Sequence, residues 1–272
     1  MKLTVNGHEA YAYTGGRPLD TTLPCLVLLH GALNDHSVWT LLARWFAHHG
    51  HAVLAPDLPG HGRSAGRPLE SVEALGAWVW QLLDAAGFAP DAQAALVGHS
   101  MGSLIALEAA AQAPQRARAL GLVATAFPMK VSEQLLGTAR EQPGRAIAMV
   151  NSFSFGGIAA KPSYPGPGAW LQGGELALKH RIQSRQGGLN LFEHDFRLCD
   201  SYARGLEAAA QVRCPTQLIL GERDQMTAPK QTTALQAAFS AVPRVQRLNA
   251  GHSLMAEAPD AMLRALRELL GA

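Results

Sequence analysis

Apolar residues over the first 125 positions follow two alternating rhythms. Unbroken apolar runs at Cys25–Leu29, Ala52–Ala55, Ala94–Val97 and Ala119–Ala124 are separated by stretches where apolar side chains recur every three or four residues. An unbroken run suits a strand buried on both faces, and the spaced pattern suits a helix that buries one stripe. Helices are expected at Val38–His49, with Trp39, Leu42, Trp45 and Phe46 at helical spacing, at Ser71–Ala86, and at Ser103–Gln112, which Pro114 stops. Ser71 is a loosely formed N-cap signal for the second of these. Leu3–Val5 and Ala10–Tyr13 read as an antiparallel opening pair. The alternation of strand and helix predicts βαβ units and a mostly parallel sheet.

The alternation fails between Phe127 and Gly205. This stretch holds 11 Gly, including the pairs Gly156-Gly157, Gly173-Gly174 and Gly187-Gly188. It also holds Lys161-Pro162-Ser163-Tyr164-Pro165-Gly166-Pro167, which suits neither a helix nor a central strand. Short helical patterns at Gly144–Val150 and Glu175–Ser184 lie between the breaks. Regularity returns with strands at Pro215–Leu220 and Arg244–Leu248 and helices at Ala228–Phe239 and Pro259–Leu270. Neither flank completes a sheet alone, so the expectation is one α/β core, residues 1–126 and 206–272, with an eight-stranded sheet flanked by helices and an inserted helical cap at 127–205.

Composition narrows the class. With 272 residues, 48% hydrophobic and 16% charged, the chain has apolar surface enough to offset the entropy of ordering, which excludes a disordered or collagen-like protein. A net charge of +2 without clustered Lys or Arg argues against nucleic-acid and membrane partners. Cys25, Cys199 and Cys214 have neither metal-ligand nor CxxC spacing, and read as free thiols of a reducing compartment. No metal or cofactor is implied. A soluble cytoplasmic protein, monomeric or homodimeric, that acts on a small molecule is the expectation.

The chemistry concentrates at Gly98-His99-Ser100-Met101-Gly102, a G-x-S-x-G motif between an expected strand and an expected helix. Such a turn lifts its Ser hydroxyl clear of the sheet, over a helix N-terminus that favours developing negative charge. Gly62-Arg63-Ser64-Ala65-Gly66 matches the same pattern but follows a turn and runs into Pro68, so it is set aside. A serine nucleophile needs a base, and a carboxylate to orient that base. Of 11 histidines, His252 lies in the loop after the last expected strand, at the sheet edge that carries Ser100. His48, His49 and His51 suit a helix end, His61 lies in a turn, His99 is the variable residue of the motif, and His180 and His194 read mainly as surface residues of the cap. No carboxylate follows Ala119–Ala124 until Glu133. After Pro215–Leu220 come Glu222 and Asp224, of which Asp224 has the loop length to reach His252. The order Ser100, Asp224, His252 is that of strand-elbow hydrolases. The oxyanion donors expected are the Met101 N–H and, from the loop His30-Gly31-Ala32-Leu33-Asn34, the N–H of Ala32 with Leu33 second.

These segments resemble the α/β-hydrolase fold superfamily. The resemblance rests on Leu29-His30-Gly31-Ala32, Asp57-Leu58-Pro59-Gly60-His61-Gly62-Arg63-Ser64, the Ser100 elbow, Gly221-Glu222-Arg223-Asp224, and Gly251-His252 with Glu257 and Pro259 behind it. It implies a structural turn at Asp57. Ser100 at the elbow departs from dehalogenases and epoxide hydrolases, which carry Asp there. Ser253 departs from plant-type hydroxynitrile lyases, with Lys after the histidine, and from ring-cleavage C–C hydrolases, with Trp. Ester, lactone or thioester hydrolysis is then the expected chemistry. C–C bond hydrolysis, a cofactor-free perhydrolase activity and a hydrolase-fold ligand receptor are the alternatives. Eight of the 17 aromatic residues fall in 127–205, and they suit either an apolar wall over the elbow or the cap's own core.

Overall fold

The computed structural model describes residues 1–157, 170–185 and 188–272. Strands β1 (Lys2–Val5) and β2 (His8–Tyr13) form the opening antiparallel pair, followed by β3 (Cys25–Leu29) and, after a 3₁₀ turn at His36–Trp39, helix α1 (Thr40–His48). Then come β4 (Ala52–Pro56), α2 (Val72–Ala85), β5 (Ala94–His99), α3 (Met101–Gln112) and β6 (Ala117–Val123). Among the described residues there follow the helices α4 (Glu133–Glu141), α5 (Pro143–Phe153), α6 (Leu171–Ser184), α7 (Leu191–Ser201) and α8 (Gly205–Gln211). The chain closes with β7 (Thr216–Gly221), a 3₁₀ turn at Pro229–Thr232, α9 (Thr233–Ala238), β8 (Arg244–Leu248), α10 (Leu254–Glu257) and α11 (Pro259–Leu270).

The strands make one eight-stranded sheet in the order β1-β2-β4-β3-β5-β6-β7-β8. β1 with β2 and β2 with β4 are antiparallel, and every other pairing is parallel. This is the doubly covered, mostly parallel sheet that the unbroken apolar runs imply. Within those runs the side chains alternate between two cores, as the two-residue repeat of a strand requires. Cys25, Val27, Leu29, Leu96, Leu120 and Leu218 pack on the face covered by α2, α3 and α8. Leu26, Leu28, Val97, Val123 and Ile219 pack on the face covered by α1 and α11.

Helix α3 is buried along nearly its whole length, which explains its run of small residues. Its one buried carboxylate, Glu108, accepts a 2.7 Å hydrogen bond from the Tyr202 hydroxyl. Ser71 does cap α2, its side chain accepting from the Ala74 N–H at 3.1 Å. At the other end of the chain, α11 starts at Pro259 and stops at Gly271 with φ 69°, the usual division of labour between proline and glycine.

Local pattern was a poorer guide between β6 and β7. Helices α4, α7 and α8 have no counterpart among the expected elements, and Gly173-Gly174, read as a break, lies inside α6. Gly173 is there because a Cβ at that position would come within 2.2 Å of the Trp170 ring. Leu136, Ile147, Val150, Leu178, Ile182, Leu191, Phe192 and Phe196 from four of these helices form a third apolar cluster together with Leu33 of the core. The Lys161–Pro167 stretch, Tyr164 and Gly187 lie outside the described residues. No helix among those described is long and apolar enough to cross a membrane.

Candidate active site

The C-terminal ends of the central parallel strands lie level. Leu29 pairs with Gly98, and Gly221 with Leu248, so the loops that follow β3, β5, β7 and β8 emerge at one edge of the sheet. That edge is where open α/β sheets take ligands. It brings His30–Asn34, Ser100, Asp224 and His252 into one neighbourhood.

Ser100 sits between β5 and α3 with φ 51° and ψ −120°. Positive φ is strained for a residue with a Cβ, and holding it there takes a surrounding structure that over-determines the turn. The flanking glycines supply the room. A Cβ on Gly98 would lie 1.9 Å from the Gly102 carbonyl oxygen, and one on Gly102 would lie 2.4 Å from that of Leu29. The Ser100 N–H donates to the Val123 carbonyl at 2.9 Å, which ties the elbow to the next strand.

Asp224 is buried in the loop after β7, whereas Glu222 is exposed. The Asp224 carboxylate is held on both oxygens. Oδ1 accepts the N–H groups of Met226 at 2.8 Å and Thr227 at 2.9 Å. Oδ2 takes the Thr227 hydroxyl at 2.7 Å and His252 Nδ1 at 2.9 Å. Burial alone would raise the pKa of this group, but His252 and these donors outweigh it and hold the carboxyl well below its usual range. A charged Asp224 therefore keeps the proton of His252 on Nδ1 and leaves Nε2 free to act as a base. Ser100 and His252 line the same small chamber. The two side chains are not hydrogen-bonded to each other in this structure.

The loop after β3 is built by His30. Its Nδ1–H donates to the Gly31 carbonyl at 2.9 Å and its Nε2 accepts the Leu58 N–H at 3.0 Å. Burial and the neighbouring His61 press its pKa down to about 4, so it is a neutral ring with one defined tautomer. Leu33, the second-ranked oxyanion donor, has φ 52° and gives its N–H to Asp195 Oδ2 at 2.9 Å. Ala32, the first-ranked donor, lines the chamber with Ser100. Met101 heads α3, where the first N–H groups have no carbonyl of a preceding turn to meet.

Several contributors escaped the sequence reading. His99 is buried, and its Nε2–H donates to the His252 carbonyl at 2.9 Å. Burial and the proximity of His252 press its pKa down to about 3, so it supports the loop as a neutral donor. His61, read as a turn residue, is buried with Nε2 3.0 Å from Asp195 Oδ2, and His194 Nδ1 lies 3.3 Å from Oδ1 of the same carboxylate. The Ser154 carbonyl accepts the N–H groups of both His252 at 2.8 Å and Ser253 at 3.0 Å. Glu257, which only the motif resemblance had picked out, accepts the N–H groups of Gly156, Gly157 and Gly251. Ser64, by contrast, is occupied within its turn, donating to the Asp57 carbonyl at 2.6 Å and accepting the Tyr11 N–H. Asp57 holds the turn together by accepting the His36 and Arg63 N–H groups.

Ser100 also opens onto an apolar cleft of about 290 Å³, walled by Val131, Leu135, Val150, Phe153, Phe196 and Met129 among others. The aromatic residues of 127–205 are thus divided. Phe153 and Phe196 reach the cleft, Phe192 stacks on Phe196 with centroids 4.4 Å apart, and Phe127 packs edge-on to Tyr202 in the core.

Comparison with known proteins agrees with this architecture. Lipase 1 of Psychrobacter immobilis is 25% identical over 242 residues, which are 86% of this chain and 73% of the lipase. The enol-lactonase from Burkholderia xenovorans matches at 23% identity with a TM-score of 0.78, covering 100% of both chains. An esterase from Exiguobacterium antarcticum matches at 15% identity with a TM-score of 0.81, covering 100% of this chain and 99% of its own. The family described as alpha/beta hydrolase fold matches residues 24–259, and the chain belongs to it.

Proposed function

We propose that the protein is a serine hydrolase of carboxylic esters, with Ser100 as nucleophile, His252 as general base and acid, and Asp224 as the carboxylate that orients it. The observation that carries this reading is the strained Ser100, set in one chamber with a histidine whose Nδ1 is bound to a buried, charged Asp224. In this mechanism Ser100 Oγ attacks the ester carbonyl carbon as His252 Nε2 takes the hydroxyl proton. The oxyanion is held by the N–H groups of Met101 and Ala32, each such donor being commonly worth about 3 kcal/mol. The tetrahedral intermediate collapses, the C–O bond to the alcohol breaks, and His252 returns the proton to the leaving oxygen. Water then attacks the acyl-enzyme with His252 again as base, and the carboxylic acid and free Ser100 result.

The apolar cleft suits a hydrophobic acyl or alcohol chain, with lactones and thioesters within reach of the same chemistry. Residues 127–205 act in this proposal as a cap that excludes water from the elbow. The lipase and esterase names among similar proteins are consistent with this assignment. Hydrolysis of short p-nitrophenyl esters, together with fluorophosphonate labelling, tests it. The wild type is expected to turn over and to be labelled at Ser100, and Ser100→Ala to do neither. Wild-type turnover by Ser100→Ala would refute the assignment.

A further inference from the structure

Beside the nucleophile lies an ion pair that an apolar substrate alone does not require. Lys179, on α6, is buried, and its ammonium contacts Glu175 Oε1 one turn earlier on the same helix. Glu175 Oε2 accepts the Ser253 hydroxyl at 2.5 Å, so both of its oxygens are engaged. Both residues line the chamber of about 20 Å³ that also holds Ser100 and His252. An ammonium group has three N–H donors, and among the described residues only the Glu175 contact engages this one.

The same chamber offers acceptors. Asn34 and His99 are 4% and 3% exposed, and Asn34 Oδ1 and His99 Nδ1 have no hydrogen-bond partner among the described residues. Because the Nε2 proton of His99 is donated to the His252 carbonyl, its Nδ1 carries a lone pair. Buried polar atoms are nearly always satisfied, so unpaired ones on residues that line a chamber mark a place where a ligand or water completes the bonding.

We propose that Asn34, His99 and Lys179, with Glu175 as charge partner, form a polar subsite that selects esters bearing one neutral hydrogen-bonding group, a hydroxyl or an amide N–H, close to the scissile carbonyl. The inference rests on the ester-hydrolase reading and adds its substrate class. The charge of Lys179 is already balanced by Glu175, so a charged group of either sign would meet a like charge at once. A hydroxyl donates a hydrogen bond to one of these acceptors and accepts one from the Lys179 ammonium. Asn34, His99, Glu175 and Ser253 also line a cavity of about 460 Å³, so the polar group has room there, while the apolar chain is left to the cleft walled by Phe153 and Phe196. A different occupant of the chamber is the hydrolytic water alone, which all substrates would share.

Paired substrates separate the two. The wild type, Glu175→Gln/Lys179→Met and Asn34→Ala are compared on p-nitrophenyl butanoate and its 2-hydroxy and 3-hydroxy analogues, with melting temperatures as a folding check. The double variant keeps the volume and leaves no unpaired charge, while Asn34→Ala removes one acceptor and spares the ion pair. Wild-type kcat/KM is expected to favour one hydroxy ester over the plain ester by about tenfold or more, and both variants to shrink that ratio toward one. The proposal is overturned if the wild type shows no preference, or if the variants slow all esters by the same factor, as loss of a shared water would. A wild type inert on every ester and unlabelled at Ser100 would instead remove the ester-hydrolase reading beneath it.

Discussion

The N–H of Leu33 donates to Oδ2 of Asp195 at 2.9 Å across 162 residues of sequence. Through that bond α7, which lies between β6 and β7, fixes the loop beside Ser100, with Ala32 next to the bonded residue. Asp195 also takes His61 and His194, so one buried carboxylate joins α7 to two loops of the core.

Asp195→Asn should therefore lower both stability and turnover. An amide has one acceptor oxygen, and its NH₂ would oppose one of the three donors. Breaking a buried pair from one side costs about 3–5 kcal/mol. The pH dependence follows from two opposite shifts. Burial opposes the charge on Asp195, but His61 and the other donors hold its carboxyl below the usual range. Its contribution is full above that range and lost as pH falls through the folded value. Burial also lowers His61, but Asp195 outweighs this and raises it. That contribution is full below the ordinary histidine value and declines as pH rises through the raised one. Melting curves should show the largest gap between wild type and variant from about pH 4 to about pH 6.5, narrowing on either side.

Asp224→Asn should cost on the order of 10⁴ in kcat with little change in fold, because the amide no longer stabilises a charged His252 or fixes its tautomer. Glu222→Gln, at an exposed position, should stay within about twofold of wild type, surface changes being near neutral. Steady-state kinetics on one p-nitrophenyl ester distinguishes the pair, and the reverse ranking would move the orienting role to Glu222.

Gly98→Ala tests the elbow. The added methyl would stand 1.9 Å from a backbone oxygen that α3 holds in place, so side-chain motion offers no relief. A loss of at least about 3 kcal/mol, roughly 6–12 °C in Tm for a chain of this size, is expected together with loss of fluorophosphonate labelling. A variant with wild-type Tm and labelling would mean that the close approach is not needed.

The three thiols should differ in reactivity. Burial pushes Cys25 up to about 12 and Cys199 higher still, whereas Cys214 is half-buried and raised to about 11. Alkylation of the native protein followed by mass mapping should mark Cys214 first and slowly, with Cys25 and Cys199 modified only after unfolding.

The sheet was legible because a strand buried on both faces must be apolar at every position. Cys25–Leu29 has the bounds expected from sequence for that reason; Arg244–Leu248, an edge strand that is mostly exposed, has them too, as does α11, Pro259–Leu270. The elbow was legible for a related reason, since two close backbone approaches admit only glycine at Gly98 and Gly102. Asp224 and His252 could be picked out because each follows a strand that ends at the same sheet edge as Ser100. Between β6 and β7 the sequence was legible in part: the patterns at Gly144–Val150 and Glu175–Ser184 fall within α5 and α6, but α4, α7 and α8 went unread, and the Gly pair inside α6 costs about 1 kcal/mol per glycine, which packing of Leu178 and Ile182 into the third cluster offsets.

By itself, then, the sequence determined what local sterics and burial impose: the strand order along the chain, the strained serine turn and the residue types at the ends of the strands. The tertiary structure alone decided that Asp195 grips Leu33, that His99 supports the His252 loop and that the Glu175–Lys179 pair lines one chamber with Ser100. Those partners lie on segments far apart in the chain, and contacts between distant segments leave no periodicity in either segment to read.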